Sequence, residues 1–153
     1  MKIAIGCDEA AYGLKEIIKS HLQGKGLDVV DFGTHDTEPV IYPDIAFAVA
    51  EQLSQGAFGR AILLCGTGIG MAISANKVPG VRAAQCHDTY SAERASKSND
   101  AQIITLGARV VGVELAKAIV DTWLASEFSG GRSSEKLERI REYECNLHNI
   151  RRP

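Results

Sequence analysis

Arg60–Gly70 reads RAILLCGTGIG, and the architecture of the whole chain can be built out from it. Arg60–Leu64 is an apolar run without alternation, the pattern of a strand buried on both faces. Cys65–Gly70 follows it directly and opens a helical pattern that reaches about Lys77. A strand that runs through a glycine-rich turn into a helix is the repeating unit of a parallel sheet, because parallel neighbours need a crossover between them.

The same unit recurs on either side. Upstream, Lys2–Gly6 (KIAIG) is a buried strand. It is followed by a helix over Ala10–Gln23, with Leu14, Ile17, Ile18 and Leu22 at helical spacing and Gly24 and Gly26 to end it. Leu27–Phe32 is a second strand. After a turn-rich loop, Pro43 takes a favourable first-turn position for a helix over Pro43–Gln55. Downstream come strands at Val81–Gln85 and Gln102–Leu106 and helices at Tyr90–Lys97 and Gly112–Ser126. Gly130-Gly131 then precedes a charged final helix at about Ser134–Leu147. The expectation is a Rossmann-like, doubly wound α/β fold: a five-stranded parallel sheet, helices on both faces and an extra C-terminal helix. That last helix packs either on its own body or across a subunit boundary.

The chain has 153 residues, 45% of them hydrophobic and 24% charged, which fits one ordinary globular domain. Its 17 basic and 19 acidic side chains give a net charge of −2, which removes the electrostatic case for nucleic acid. No apolar run approaches the roughly 18 residues of a membrane span. Asp8 and Glu9 come too early for the apolar part of a signal peptide. A cytoplasmic protein with no nucleic-acid or membrane partner is expected. Cys7, Cys65, Cys86 and Cys145 form no CxxC pair, and His21, His35, His87 and His148 have no metal-ligand spacing, so neither a metal nor another cofactor is expected.

In parallel α/β sheets ligands bind beyond the carboxyl ends of the strands, where the strand order reverses. That directs attention to Cys7–Ala11, Cys65–Gly70, His87–Tyr90 and Gly107–Arg109. At Gly66–Gly70 successive amides are expected to face outward at a helix N-terminus and to stabilise an anion. No Gly-Lys-Ser/Thr follows, so this is not a Walker loop, and the alternate glycines 66, 68 and 70 fit a dinucleotide fingerprint poorly. Cys65 beside that helix start is biased toward thiolate and can accept a proton; the plainer reading is a core cysteine next to a tight turn. Asp8 can move protons or bind a sugar hydroxyl, although taken alone it reads first as a helix N-cap. Arg109 and Arg132 are either surface charges or a pair suited to gripping a phosphate.

The stretch CGTGIGMAISANKVPGVRAA (Cys65–Ala84) resembles the type B ribose-5-phosphate isomerases and the related galactose-6-phosphate isomerases. So do MKIAIGCDEAAYGLK, Asn99-Asp100-Ala101 with LGARVVG, and EFSGGR. The likeness runs in register to about Arg141. It implies that residues 1–153 form one metal-independent sugar-phosphate isomerase domain working through a cis-enediolate. By that resemblance Cys65 is the catalytic base, with Thr67 and Asp8 as further catalytic groups. The substrate contacts would be Glu9, Gly66, Gly68, Ile69, Gly70, Ser98 and Asn99. Arg109, Arg132 and Lys136 would bind the phosphate. The family is dimeric or tetrameric with sites shared between subunits, which favours the C-terminal helix at 134–147 packing on a neighbour.

This chain also departs from the family. Type B ribose isomerases commonly read Asp-His after the first strand, His-Asn before the fifth and GGRHxxR near the end. Here Glu9, Ser98 and Ser133 stand in place of three histidines, and Lys136 in place of an arginine. The family histidine at position 98 is assigned to opening the furanose ring, so its loss points to a substrate that needs no opening, D-erythrulose 4-phosphate/D-erythrose 4-phosphate. The alternatives are ribose 5-phosphate/ribulose 5-phosphate isomerisation, a non-catalytic phosphosugar-binding subunit, and a nucleotide-binding module on the same architecture.

Overall fold

Five strands alternate with helices along the chain: β1 (Lys2–Cys7), α1 (Tyr12–Gly24), β2 (Asp28–Asp31), α2 (Tyr42–Ser54), β3 (Arg60–Cys65), α3 (Ile69–Ala75), β4 (Ala83–Gln85), α4 (Thr89–Lys97), β5 (Ile103–Gly107), α5 (Val113–Leu124) and α6 (Arg132–Ile150). The computed structural model describes residues 2–150, with side chains described as far as Leu147; Met1 and residues 151–153 of the expected 1–153 domain lie outside the described residues. All strand pairs are parallel, in the order β2-β1-β3-β5-β4. This is the expected doubly wound α/β sheet.

The strand sequences explain why both faces are covered. In β1, Ile3 and Ile5 point to one layer with Ile62, Leu64, Ile104 and Leu106, and they meet α1, α4 and α5. Ala4, Ala61, Leu63 and Ile103 point the other way and meet Val49 and Leu53 of α2 and Met71 of α3. With a wall on each side, an unbroken apolar run is what each central strand needs.

Several boundaries move from those read in sequence. β4 starts at Ala83 rather than Val81, because Arg82 N–H is taken by the Gln102 side-chain oxygen (2.9 Å) and Val81 N–H closes a turn onto Val78 (3.2 Å). α6 begins at Arg132, ahead of the expected Ser134, and within the chain its Glu144 accepts a hydrogen bond from Gly80 N–H (2.9 Å). No side chain of α6 up to Leu147 is fully buried. Among the described residues no helix is long and apolar enough to cross a membrane.

Lys15 is the unexpected charge in the interior. Its side chain is 0% exposed and its ammonium meets both oxygens of Asp31 (2.9 and 3.0 Å), Glu16 (2.8 Å) and Thr34 C=O (2.8 Å). Thr34 N–H in turn donates to Cys7 C=O (2.7 Å), so this buried cation ties α1 and β2 to the strand end that carries Asp8. Burial alone would raise the Asp31 carboxyl; hydrogen bonds from Lys19, Lys15 and Gly33 N–H outweigh it and hold the group at about 2. A depressed carboxylate contributes stability above its unfolded value and loses it as pH falls, here between about pH 5 and 2, worth about 2 kcal/mol. Lys15→Met is expected to cost about 3–5 kcal/mol, because it strands Thr34 C=O and leaves Asp31 with Lys19 and Gly33 N–H as its remaining hydrogen-bond donors. Urea denaturation checks this, and the variant should also lose part of the acid sensitivity between pH 5 and 3. A loss under about 1 kcal/mol would mean that Lys19 and water replace the ammonium.

Candidate active site

The strand order reverses between β1 and β3, so the connections leaving their carboxyl ends go to opposite faces and open a crevice. A cavity of about 310 Å³ lies there. Asp8, Glu9 and Ala10 line it from the end of β1, and Cys65, Gly66, Thr67 and Gly70 from the end of β3. Arg109 enters from the turn after β5, and Tyr42 from the start of α2. A larger open groove of about 470 Å³ between α1 and α5 is the ordinary surface of two helices and lies away from the glycine turn.

The glycine turn is braced from below. Its carbonyls are engaged: Gly66 C=O by Arg109 N–H (3.0 Å), Thr67 C=O by the Gln85 amide (2.7 Å) and Gly68 C=O by the Thr105 hydroxyl (2.8 Å). Gly68 has φ +77°, and a Cβ there would stand 2.9 Å from the Leu106 backbone, so the turn needs glycine on both counts. Close seating on β5 follows.

Not every amide faces outward as the sequence reading expects. Gly68 N–H turns back and donates to Cys65 Sγ (3.0 Å), and Ile69 N–H donates to Thr67 Oγ1 (3.3 Å). Gly68 is buried and Ile69 points its side chain to the surface, and neither lines the cavity. The outward donors are therefore fewer, and the thiol receives one directly. Cys65 is 4% exposed, close enough to the cavity to line it and otherwise shielded from solvent.

Burial pushes Cys7 and Cys86 up to about 12, which makes them inert core residues. Asp8 combines both roles weighed from sequence. Its carboxylate accepts Ala11 N–H (3.2 Å), capping the single 3-10 turn Glu9–Ala11 that leads into α1, and it faces the cavity. Burial, with the Glu9 carboxylate beside it, raises the Asp8 carboxyl above the ordinary aspartate range, against the pull of the Ala11 and Ala10 amides and Arg109. A carboxyl raised in this way is suited to passing a proton between two oxygens. Glu9 is fixed by Val40 N–H, which donates to its carboxylate (3.2 Å).

Four expected site residues lie elsewhere in the chain. α4 runs back across the sheet, so Ser98, at its end, and Asn99 sit beside the amino ends of the strands, where Arg82 donates to Asn99 C=O (3.0 Å). Arg132 and Lys136 are exposed on the first turns of α6, a few residues past Ser129, whose N–H donates to Lys97 C=O (3.1 Å). Cys65 pairs in register with Gly107 and Ala61 with Ile103, so the two edges are at least about 13 Å apart at the rise of a strand. Arg109 and Arg132 therefore do not converge within one chain. Tyr42 is the cavity residue that sequence reasoning missed: it stands just ahead of the helix start placed at Pro43 and carries no motif. Among the described residues no group of three or more His, Cys, Asp or Glu side chains could hold a metal ion.

Comparison with known proteins gives a consistent result. Residues 3–140 match the family model described as Ribose/Galactose Isomerase. The chain is 59% identical over 145 residues to the D-erythrulose-4-phosphate isomerase of Pectobacterium atrosepticum, covering 94% of this chain and 95% of that one. It is 56% identical over 142 residues to the ribose-5-P isomerase B of Listeria innocua, covering 93% and 96%. Among solved structures, Clostridium thermocellum ribose-5-phosphate isomerase B superposes with a TM-score of 0.94 at 50% identity, covering 96% of this chain and 99% of that one.

Proposed function

The chain belongs to the ribose/galactose isomerase family and is a sugar-phosphate isomerase, and on that footing we propose that it interconverts D-erythrulose 4-phosphate and D-erythrose 4-phosphate. Ser98 carries this reading. Ring opening needs a group that moves a proton between the ring oxygen and the anomeric hydroxyl, which imidazole does near neutral pH and a serine hydroxyl does not. In a tetrose 4-phosphate the C4 oxygen already bears the phosphate, so no furanose closes and no opener is needed. Overall identity is nearly equal to relatives named for the four-carbon and the five-carbon substrate, so position 98 is the better discriminator.

The chemistry follows from the cavity. The Cys65 thiolate takes a proton from C2 of the aldose or C1 of the ketose, and the electron pair moves into the adjacent carbonyl to give a cis-enediolate. Backbone amides of Gly66, Thr67 and Gly70 at the start of α3 stabilise the developing oxyanion. Asp8 moves the proton between O1 and O2, and the Cys65 thiol returns its own proton to the neighbouring carbon. Arg109 holds the phosphate. Glu9 repels a phosphate placed deep beside Asp8, which favours a short substrate.

Each site is completed by a second copy. Ser98, Asn99, Arg132 and Lys136 lie at the opposite edge of the sheet from Cys65, and a small phosphorylated sugar does not span that distance. The enzyme accordingly works as a homodimer or tetramer in which the far edge and α6 of one subunit face the Cys65 cavity of another.

The deciding experiment measures kcat/KM for tetrose and pentose phosphates in the native protein and in Ser98→His. The native enzyme is expected to prefer the tetrose, and the imidazole to improve the pentose reaction selectively. A native preference for ribose 5-phosphate would remove the four-carbon reading and leave the isomerase assignment standing.

A further inference from the structure

Gly70 lies inside α3 with an ordinary helical backbone, so its conformation does not require glycine, and glycine disfavours a helix. Its neighbour explains it. A Cβ on Gly70 would collide with the phenol of Tyr42, whose ring end and hydroxyl occupy that space. The chain therefore leaves residue 70 bare, and the phenol lies against the first turn of α3. Tyr42 is held there by the start of α2, with Pro43 stiffening the backbone next to it.

The phenol is not there as buried filler. Tyr42 is 36% exposed and lines the cavity with Cys65, Gly66, Thr67 and Gly70. No other described residue hydrogen-bonds its hydroxyl, although Asp8, Glu9 and Thr67 line the same cavity. A phenolic O–H is a hydrogen-bond donor, and with no protein acceptor among the described residues it is available to a substrate oxygen that displaces water from the cavity.

We propose that Tyr42 is a catalytic residue whose hydroxyl donates a hydrogen bond to the substrate oxygen seated at the first turn of α3, adding a side-chain donor to the backbone donors of the glycine turn. This rests on the isomerase reading, in which that oxygen becomes the enediolate oxygen. Charge on it grows as the proton leaves carbon, so the bond strengthens in the transition state and acts on kcat more than on KM.

Tyr42→Phe tests it while keeping the ring that packs on Gly70. The expected result is a fall in kcat of about 10- to 100-fold with KM little changed, as for loss of one oxyanion donor. Affinity for a phosphorylated hydroxamate that mimics the enediolate should fall with it, while the melting temperature stays at the native value. Native kcat and native hydroxamate affinity in the variant would overturn the proposal. If the native enzyme turns over ribose 5-phosphate in place of the tetrose, the four-carbon reading fails, and the same comparison run on the pentose still decides the role of Tyr42.

Discussion

Cys65→Ser is expected to lower kcat by about 10²–10⁴-fold, the range that general-base catalysis supplies, while the protein remains folded. A serine hydroxyl is almost never ionised near neutral pH, so it cannot take a proton from carbon. Its oxygen can still accept the Gly68 N–H that now reaches Sγ at 3.0 Å, so the turn keeps its internal bond. The bracing of the turn by Gln85, Thr105 and the Arg109 backbone does not involve the sulfur. Cys65 fills little space at the cavity wall, and the change removes no core methylene. Steady-state kinetics with either sugar phosphate, beside a thermal melt, reads both halves of the expectation. Near-native turnover in the variant would make Cys65 structural and move the search for the base to Glu9, which faces the same cavity.

The sheet was legible because each strand announces itself and its ending. KIAIG, RAILL and QIITL are apolar on both faces, and each is followed by a polar or glycine-rich turn before a helix begins. That pattern admits few architectures other than a wound parallel sheet. The Cys65 side of the site was legible for the same reason, since the carboxyl ends of β1, β3 and β5 must meet at one edge. Individual donors were not. Whether an amide in CGTGIG faces out depends on the left-handed turn at Gly68, and that is set by contact with Leu106, far away in sequence. Tyr42 was missed because its signal is a space left by Gly70, 28 positions further along. Lys15 reads in sequence as one polar position of an amphipathic helix, and only the neighbouring Asp31 and Thr34 make it a buried anchor.

Mixing two inactive variants is expected to restore activity, and this tests the shared site most sharply. If Arg132 holds the phosphate as proposed, Arg132→Ala removes a contact made in both ground and transition states, so it raises KM more than it lowers kcat, by a factor worth about 1.5–3 kcal/mol. Assayed with substrate well below that raised KM, it is close to dead, as is Cys65→Ser at any concentration. In a two-fold dimer whose sites pair Cys65 of one subunit with Arg132 of the other, a mixed dimer contains one site carrying both changes and one carrying neither. Random assortment of equal amounts makes half the dimers mixed, with one of two sites intact, so about a quarter of native activity should return. Refolding or co-expressing the two variants together, with each alone as control, gives the measurement. Complementation requires that Arg132 act across the boundary: if both residues served the same chain's site, every site in every dimer would carry a defect and the mixture would stay at the level of its parents. The separation of the two edges within one chain, with Cys65 at the carboxyl ends of the strands and Arg132 beside their amino ends, makes recovery the expected outcome.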